Sequence, residues 1–356
     1  MRELTRCPHC TLPVDVAAGL NVNWIGLDGS VYATRPDPIE TPTRPHCSNE
    51  RAGDPCGAQL VEGPALLALI VGSHRSGKSS LVWGFREHQR SFPFGPWTFH
   101  IDDAAEETWR AVFRSREATP RPERGPARAS IYAITEPETG RRASLMLWDL
   151  AGEMFETVNE VLAQPFVPFL DLVIITVPPS DLSVRTDPET DARTGGRDSQ
   201  GAYAQWLATL NSRFKSIDKP RLVVLALTKC DVYKGPDGFP HECLNPRYRF
   251  ARAAPPGQAT NRQNVDALRA QWERESLLLF EFMRGAGAEG IASVTSQFCP
   301  DYQIVAVSGT RKEEEPPPER PEAAVPALAG APDRAGDPFA MALWMHGWGA
   351  DLEKQP

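Results

Sequence analysis

The stretch that decides the fold is ALLALIVGSHRSGKSS, Ala65–Ser80. Its first seven residues, Ala65–Val71, are continuously apolar and one strand long, the pattern of a strand buried on both faces of a parallel sheet. The rest fits G-x-x-x-x-G-K-[ST], with Gly72, Gly77, Lys78 and Ser79 in the fixed places. Glycines there let backbone N–H groups curl around an anionic phosphate. The helix expected to start at Lys78 aims its positive dipole end at the same point. Lys78 is placed to reach the β- and γ-phosphates and Ser79 to ligate Mg²⁺ through its hydroxyl. Gly72, Ser73, His74, Arg75, Ser76, Gly77, Lys78, Ser79 and Ser80 are therefore the candidate phosphate contacts. A strand before and a helix after are what separate this loop from an accidental match. The loop implies a nucleoside triphosphate and leaves the base open.

Outward from this loop, strand-length apolar runs alternate with helical stretches between Val61 and Ser308. The further runs are Ile131–Thr135, Ala143–Leu150, Leu172–Val177, Leu222–Leu227 and Ile304–Val307. Helical stretches lie at Ser79–His88, Glu153–Leu162, Ala202–Phe214 and Asn264–Met283. Such alternation predicts a three-layer α/β/α domain with a mostly parallel sheet. Thr186–Gln200 and Gly235–Thr260 are polar and aperiodic and read as loops. Residues 64–311 form the predicted nucleotide-binding domain, 312–336 a Pro-rich acidic linker, and 337–356 a tail whose DPFAMALWMHGW segment reads as a docking helix. The chain has 356 residues, 41% hydrophobic, which excludes wholesale disorder. No run approaches the ~18 apolar residues of a membrane helix, and no apolar leader opens the chain, so a cytoplasmic protein is expected. A net charge of −8 argues against sequence-independent DNA binding.

Three later segments narrow the base. After the run Ala143–Leu147 the chain reads WDLAGE, giving Asp149, Gly152 and Glu153. TKCD, Thr228–Asp231, follows LVVLAL directly, and SGT, Ser308–Thr310, follows QIVAV. With the phosphate loop, in this order, they resemble the Ras-like branch of the P-loop GTPases over residues 64–311. That resemblance implies that Asp149 contacts Mg²⁺ and that the N–H of Gly152 senses the γ-phosphate. It implies that Asp231 accepts two hydrogen bonds from guanine N–H groups, with the Lys229 stem on the purine face. Adenine cannot supply that donor pair, so ATP would leave a charged acceptor unpaired. Thr228 stands where Asn is commoner, and Ser308 and Gly309 stand where a backbone N–H meets the guanine carbonyl.

Departures from the family pattern bear on rate. Glu153 occupies the position of the Gln that orients the attacking water. A carboxylate can accept a hydrogen bond from that water but cannot donate one to the γ-phosphate, and its charge opposes the charge developing there. Slow hydrolysis is therefore expected, with Lys78, Glu153 and Thr119 as the catalytic set. His74 would crowd an arginine donated by a partner, and Arg75 offers such a charge in cis. The Mg²⁺-binding switch threonine is Thr98, Thr108 or Thr119. Thr98 and Thr108 flank or sit in the helical-looking IDDAAEETWRAVF, so Thr119, shortly before the second strand, is preferred.

Residues 1–60 form a separate module. Cys7 and Cys10 make a C-x₂-C knuckle, and Cys47 and Cys56 are the later pair, with His9 and His46 as alternative ligands. Two thiolate pairs resemble a zinc ribbon, and WIGLDGSVYAT reads as its hairpin. The Cys47-to-Cys56 spacing is wider than the usual two to four residues, which loosens the second half of the expected site. Five arginines against seven acids leave this module at −2, without a basic face for phosphates. Protein effectors or a GTPase-activating partner are the expected partners, and nucleic acid is not. A ribbon joined to such a core resembles the TRAFAC-clade double-GTPase proteins of bacterial conflict systems. The expected function is a GTP/GDP switch using Mg²⁺ and Zn²⁺. Its alternatives are a non-hydrolysing GTP-bound scaffold and an ATP-dependent P-loop enzyme. Oligomeric state stays open.

Overall fold

The computed structural model describes residues 3–51, 53–73, 76–78, 81–82, 85, 98–101, 129–136, 140–150, 161, 164–178, 182, 208, 222–228, 230, 239–240, 243, 261–286, 288–299, 301–307 and 337–345. Five short strands lie in the N-terminal part: β1 Val22–Gly26, β2 Val31–Tyr32, β3 Thr43–Cys47, β4 Glu50–Arg51 and β5 Asp54–Pro55. β1 stands between β2 and β3, antiparallel to both, and β4 and β5 form a separate two-stranded hairpin. The β1–β2 turn is closed by the Gly26 N–H donating to Ser30 O at 2.8 Å, with Gly29 at φ +85°. Trp24, Val14, Val22 and Leu60 pack with Cys7, Cys10 and Cys47 into a small core of their own.

The larger sheet has seven strands: β6 Ala65–Gly72, β7 Thr98–Ile101, β8 Ser130–Glu136, β9 Arg141–Asp149, β10 Leu172–Val177, β11 Leu222–Leu227 and β12 Tyr302–Ala306. Their spatial order is β12-β11-β10-β6-β9-β8-β7. β6, β9, β10, β11 and β12 are mutually parallel, and β8 runs against its neighbours β9 and β7. All six apolar runs of the sequence are strands here, and the fold is the expected α/β class with a mostly parallel sheet. β7 is a strand that the sequence reading did not anticipate. Ile101, expected to open a helical stretch, instead ends β7, opposite Tyr132.

Every residue of β6, β10 and β11 is buried, and alternate residues serve opposite faces. Leu67, Leu69 and Val71 of β6 join one core with Val173, Ile175, Val223 and Leu225. Leu66, Ala68 and Ile70 join the other with Ile174, Val224 and Leu145. This two-faced burial is why these strands carry no polar alternation. The first core is covered by α1, Asn261–Gly285, through Leu279, Phe282 and Met283, and by α2, Glu289–Phe298, through Ile291 and Ala292. Over the second lie Leu81, Val82 and Phe85 of the helix beginning at Lys78, and Phe339, Met341, Ala342 and Leu343 of α3, Asp337–Met345. Phe85 and Phe339 pack with ring centroids 4.0 Å apart, and Phe85 meets Tyr132 of β8 edge-on at 5.4 Å.

Candidate functional site

The phosphate loop leaves the C-terminal end of β6, the central strand. Lys78 begins a helix, and the Leu81 N–H donates to Gly77 O at 2.9 Å as its first α-helical bond. Gly77 sits at φ +90°, and a Cβ there would lie 3.2 Å from Cβ of Thr228. At Gly72 a Cβ would overlap Thr176 Oγ1 and come within 2.6 Å of Ser76 Oγ. Both glycines are therefore required by the loop's own packing.

The Lys78 side chain is buried within the loop, where its ammonium donates to Gly72 O and to Ser73 O, each at 2.9 Å. Ser76 and Thr176, both fully buried, are joined hydroxyl to hydroxyl at 2.7 Å. Thr176 Oγ1 donates to Val71 O at 3.1 Å, which commits its proton and leaves Ser76 as donor to Thr176. Strand β10 thus braces the loop from below. Thr228, following β11, braces it from the side. Its hydroxyl donates to Ser76 O at 2.5 Å, and its N–H donates to Val177 O at 3.0 Å. Asp149 ends β9 in register with Ile70, two residues before Gly72. Asp149 and the glycine-containing loop with Lys78 consequently lie at the C-terminal ends of the adjacent strands β9 and β6, with Thr176 of β10 beneath the loop. Ligands of open α/β sheets bind at such an edge.

Of the residues singled out in the sequence, Gly72, Ser73, Ser76, Gly77, Lys78, Asp149 and Thr228 come together here. His74, Arg75, Ser79, Ser80, Thr119, Gly152, Glu153, Lys229, Asp231, Ser308 and Gly309 lie outside the described residues, as does Thr108. Thr98 begins β7 at the sheet edge, opposite Thr135. Cys230 is buried with its thiol donating to Leu227 O at 2.9 Å, and its N–H donates to Val307 O at 3.3 Å. Cys230 is thereby tied to Val307, the residue directly after β12. Thr176 was missed by the sequence reading. Its signal was a lone hydroxyl at the C-terminal end of the otherwise apolar LVIITV.

The second site is the cysteine cluster. Sγ atoms of Cys7, Cys10, Cys47 and Cys56 all lie within 4.8 Å of one another. Cys7 and Cys56 are 3.7 Å apart, as are Cys10 and Cys47. Four thiolates around one Zn²⁺ at ~2.3 Å would be spaced by about 3.8 Å, so the donor set fits a tetrahedral thiophilic cation. Burial pushes the Cys7 thiol well above its ordinary range and raises Cys56 to about 11. A bound cation would have to displace those protons. His9 Nδ1 lies 3.6 Å from Cys56 Sγ, at the margin of the cluster, whereas His46 Nδ1 is 3.0 Å from Gly57 O. The wide Cys47–Cys56 spacing does not loosen the set. No helix among the described residues is long and apolar enough to cross a membrane.

No curated protein matches the chain. Among solved structures it resembles the GTP-bound GTPase-like domain of S. cerevisiae Ski7, at 13% identity over 69% of this chain and 43% of that one, with a TM-score of 0.31. The same domain bound to GDP and inorganic phosphate aligns at 11% identity over 82% and 51%, TM-score 0.35. The bacterial selenocysteine-specific elongation factor EF-Sec aligns at 14% over 69% and 26%, TM-score 0.26. The chain thus spans about half or less of these solved chains, and likeness at such TM-scores carries nothing over to it. The family comparison reaches further: Double-GTPase 2 matches residues 68–284, from within β6 to the last turn of α1 and so over more than half of the chain. With its glycine-opened loop at the end of the central strand, this chain belongs to the Double-GTPase 2 family.

Proposed function

We propose that the protein is a GTP-binding switch that hydrolyses GTP slowly with Mg²⁺ and signals to protein partners. The observation that carries this reading is the described part of the loop, Gly72, Ser73 and Ser76–Lys78, braced by Thr176 of β10 and by Thr228 after β11, with a buried ammonium inside it. On binding a triphosphate, Lys78 would exchange its two loop carbonyls for phosphate oxygens. That exchange offsets the cost of burying its charge better than neutral carbonyls do. Ser79 and Asp149 would hold Mg²⁺, which neutralises charge on the β- and γ-phosphates when bound. Asp231 is assigned the guanine N–H pair, Lys229 the purine face, and Ser308 and Gly309 the guanine carbonyl. Loss of the γ-phosphate would release Gly152, Glu153 and the segment around Thr119. A place in bacterial conflict systems rests on the family resemblance alone.

The test is a titration with fluorescent guanine and adenine nucleotides. Lys78→Ala is expected to weaken triphosphate binding by about tenfold or more, the worth of a charge-assisted bond. Asp231→Ala should abolish the preference for guanine. Equal binding of both bases, unchanged by Asp231→Ala, would overturn the assignment of the base. Single-turnover hydrolysis with Mg²⁺ then separates a slow GTPase from a GTP-bound scaffold, and Glu153 is the feature that favours the scaffold if no product forms over hours.

For the N-terminal part we propose one structural Zn²⁺ held by Cys7, Cys10, Cys47 and Cys56. A module of roughly sixty residues buries little apolar surface, and a metal supplies the missing cross-link. Domain limits of 1–60, 64–311, 312–336 and 337–356 follow from the same reading.

A further inference from the structure

The two halves of the cysteine cluster share one backbone arrangement despite their different lengths. In the first half, the Cys7 N–H donates to Leu12 O at 2.9 Å and the Thr11 N–H to Cys7 O at 2.8 Å. Thr11, directly after Cys10, has φ +66°. In the second half, the Cys47 N–H donates to Ala58 O at 2.9 Å and the Gly57 N–H to Cys47 O at 3.1 Å. Gly57, directly after Cys56, has φ +60°. Position by position, Cys47 corresponds to Cys7, Cys56 to Cys10, Gly57 to Thr11 and Ala58 to Leu12. Counting forward, Ser48 and Asn49 take the places of Pro8 and His9. Six residues, Glu50–Pro55, are left without a counterpart.

Of those six, Glu50–Arg51 and Asp54–Pro55 pair as β4 and β5 of a hairpin. It is closed at its base by the Cys56 N–H donating to Asn49 O at 2.8 Å, and Glu50, Gly53, Asp54 and Pro55 are exposed. A hairpin returns the chain to where it left, so Asn49 and Cys56 stand as neighbours although six residues separate them. Each half also aims an N–H at its first sulfur. His9 uses its backbone, 3.4 Å from Cys7 Sγ, and Asn49 its side-chain amide, 3.3 Å from Cys47 Sγ. The Asn49 amide donates as well to Pro13 O at 3.1 Å, fastening the second half to the loop that follows the first.

We propose that the centre consists of two equivalent Cys-x₂-Cys knuckles for one thiophilic divalent cation, and that Glu50–Pro55 is an insertion in the second knuckle that metal binding does not need. The inference rests on the zinc reading given above. It also assigns Asn49 as a positioning residue, which acts on the metal through Cys47.

The experiment compares the full chain with a variant lacking residues 50–55, in which Asn49 is joined to Cys56. Each is loaded with Zn²⁺ or Co²⁺, and metal per chain and the cobalt–thiolate absorption are read. Both proteins are expected to bind one metal with the same four-thiolate spectrum and Zn²⁺ affinities within about tenfold, whereas Asn49→Ala lowers affinity by about 10- to 100-fold, as loss of an outer-shell partner does. Loss of metal from the shortened chain, with its far-ultraviolet dichroism otherwise retained, would overturn the inference. Should the shortened chain be insoluble, replacement of Glu50–Pro55 by Gly-Gly takes its place, with the same two outcomes. A full-length chain that binds no metal removes the zinc reading itself. Binding by the full chain alone removes only the inserted-hairpin inference.

Discussion

Lys78, Ser76 and Thr176 carry the strongest residue-scale consequence of the site. The buried hydroxyl pair is needed to hold Ser76 under the loop, because Ser76 has its donor committed to Thr176. Thr176→Val keeps the shape and removes the acceptor, leaving a buried hydroxyl unsatisfied at a cost of about 1–3 kcal/mol. Urea unfolding should record that loss, and nucleotide dissociation should accelerate, while Thr176→Ser restores both. Gly72→Ala meets the same side chain from the other direction. Its methyl overlaps Thr176 Oγ1, so overpacking of about 1–3 kcal/mol is expected. Combined with Thr176→Ala the penalty should shrink, and a double-mutant cycle that came out additive would show the contact to be unimportant.

Among the elements, α3 has the clearest effect at a distance. Phe339 is fully buried against Phe85, which sits two turns into the helix that opens at Lys78, and Phe85 in turn touches Tyr132 of β8. Phe339→Ala would leave a ring-sized void at this junction, at a cost of about 3–5 kcal/mol in urea unfolding. Because the void adjoins the helix that presents Lys78, faster nucleotide release is expected from the same variant. A loss of stability with unchanged release would confine α3 to a structural role. β7 and the β4–β5 hairpin illustrate the limit of pattern reading at this scale. Thr98–Ile101 is four residues long and lies beside a helical-looking stretch, so periodicity there favours a helix. What makes it a strand is the open edge of β8, a tertiary circumstance.

At the scale of the whole molecule, the N-terminal core and the two cores of the seven-stranded sheet are supported by different means, and two measurements separate them. Removing metal with a chelator should abolish hydrogen-exchange protection over residues 7–58. The seven-stranded sheet should stay protected, since its two apolar cores contain none of the four clustered cysteines. Conversely, GTP with Mg²⁺ at a hundred times its dissociation constant should stabilise the nucleotide domain by about 2.7 kcal/mol and leave the ribbon unaffected. The sequence alone indicated the six main strands as apolar runs, and at β6, β10 and β11 burial on both faces is the reason those runs are uninterrupted. It also singled out the loop with two glycines, a lysine and a hydroxyl at set spacing, and the four cysteines as metal-ligand candidates beside His9 and His46. Tertiary structure alone decided what holds those parts in place. Thr176 acts on Ser76 from a strand 100 residues away. Cys56 reaches its partners only because a hairpin folds six residues out of the path. Spacing along the chain records which groups are present, whereas a brace or an inserted hairpin exists only as distance in space, and no local pattern encodes it.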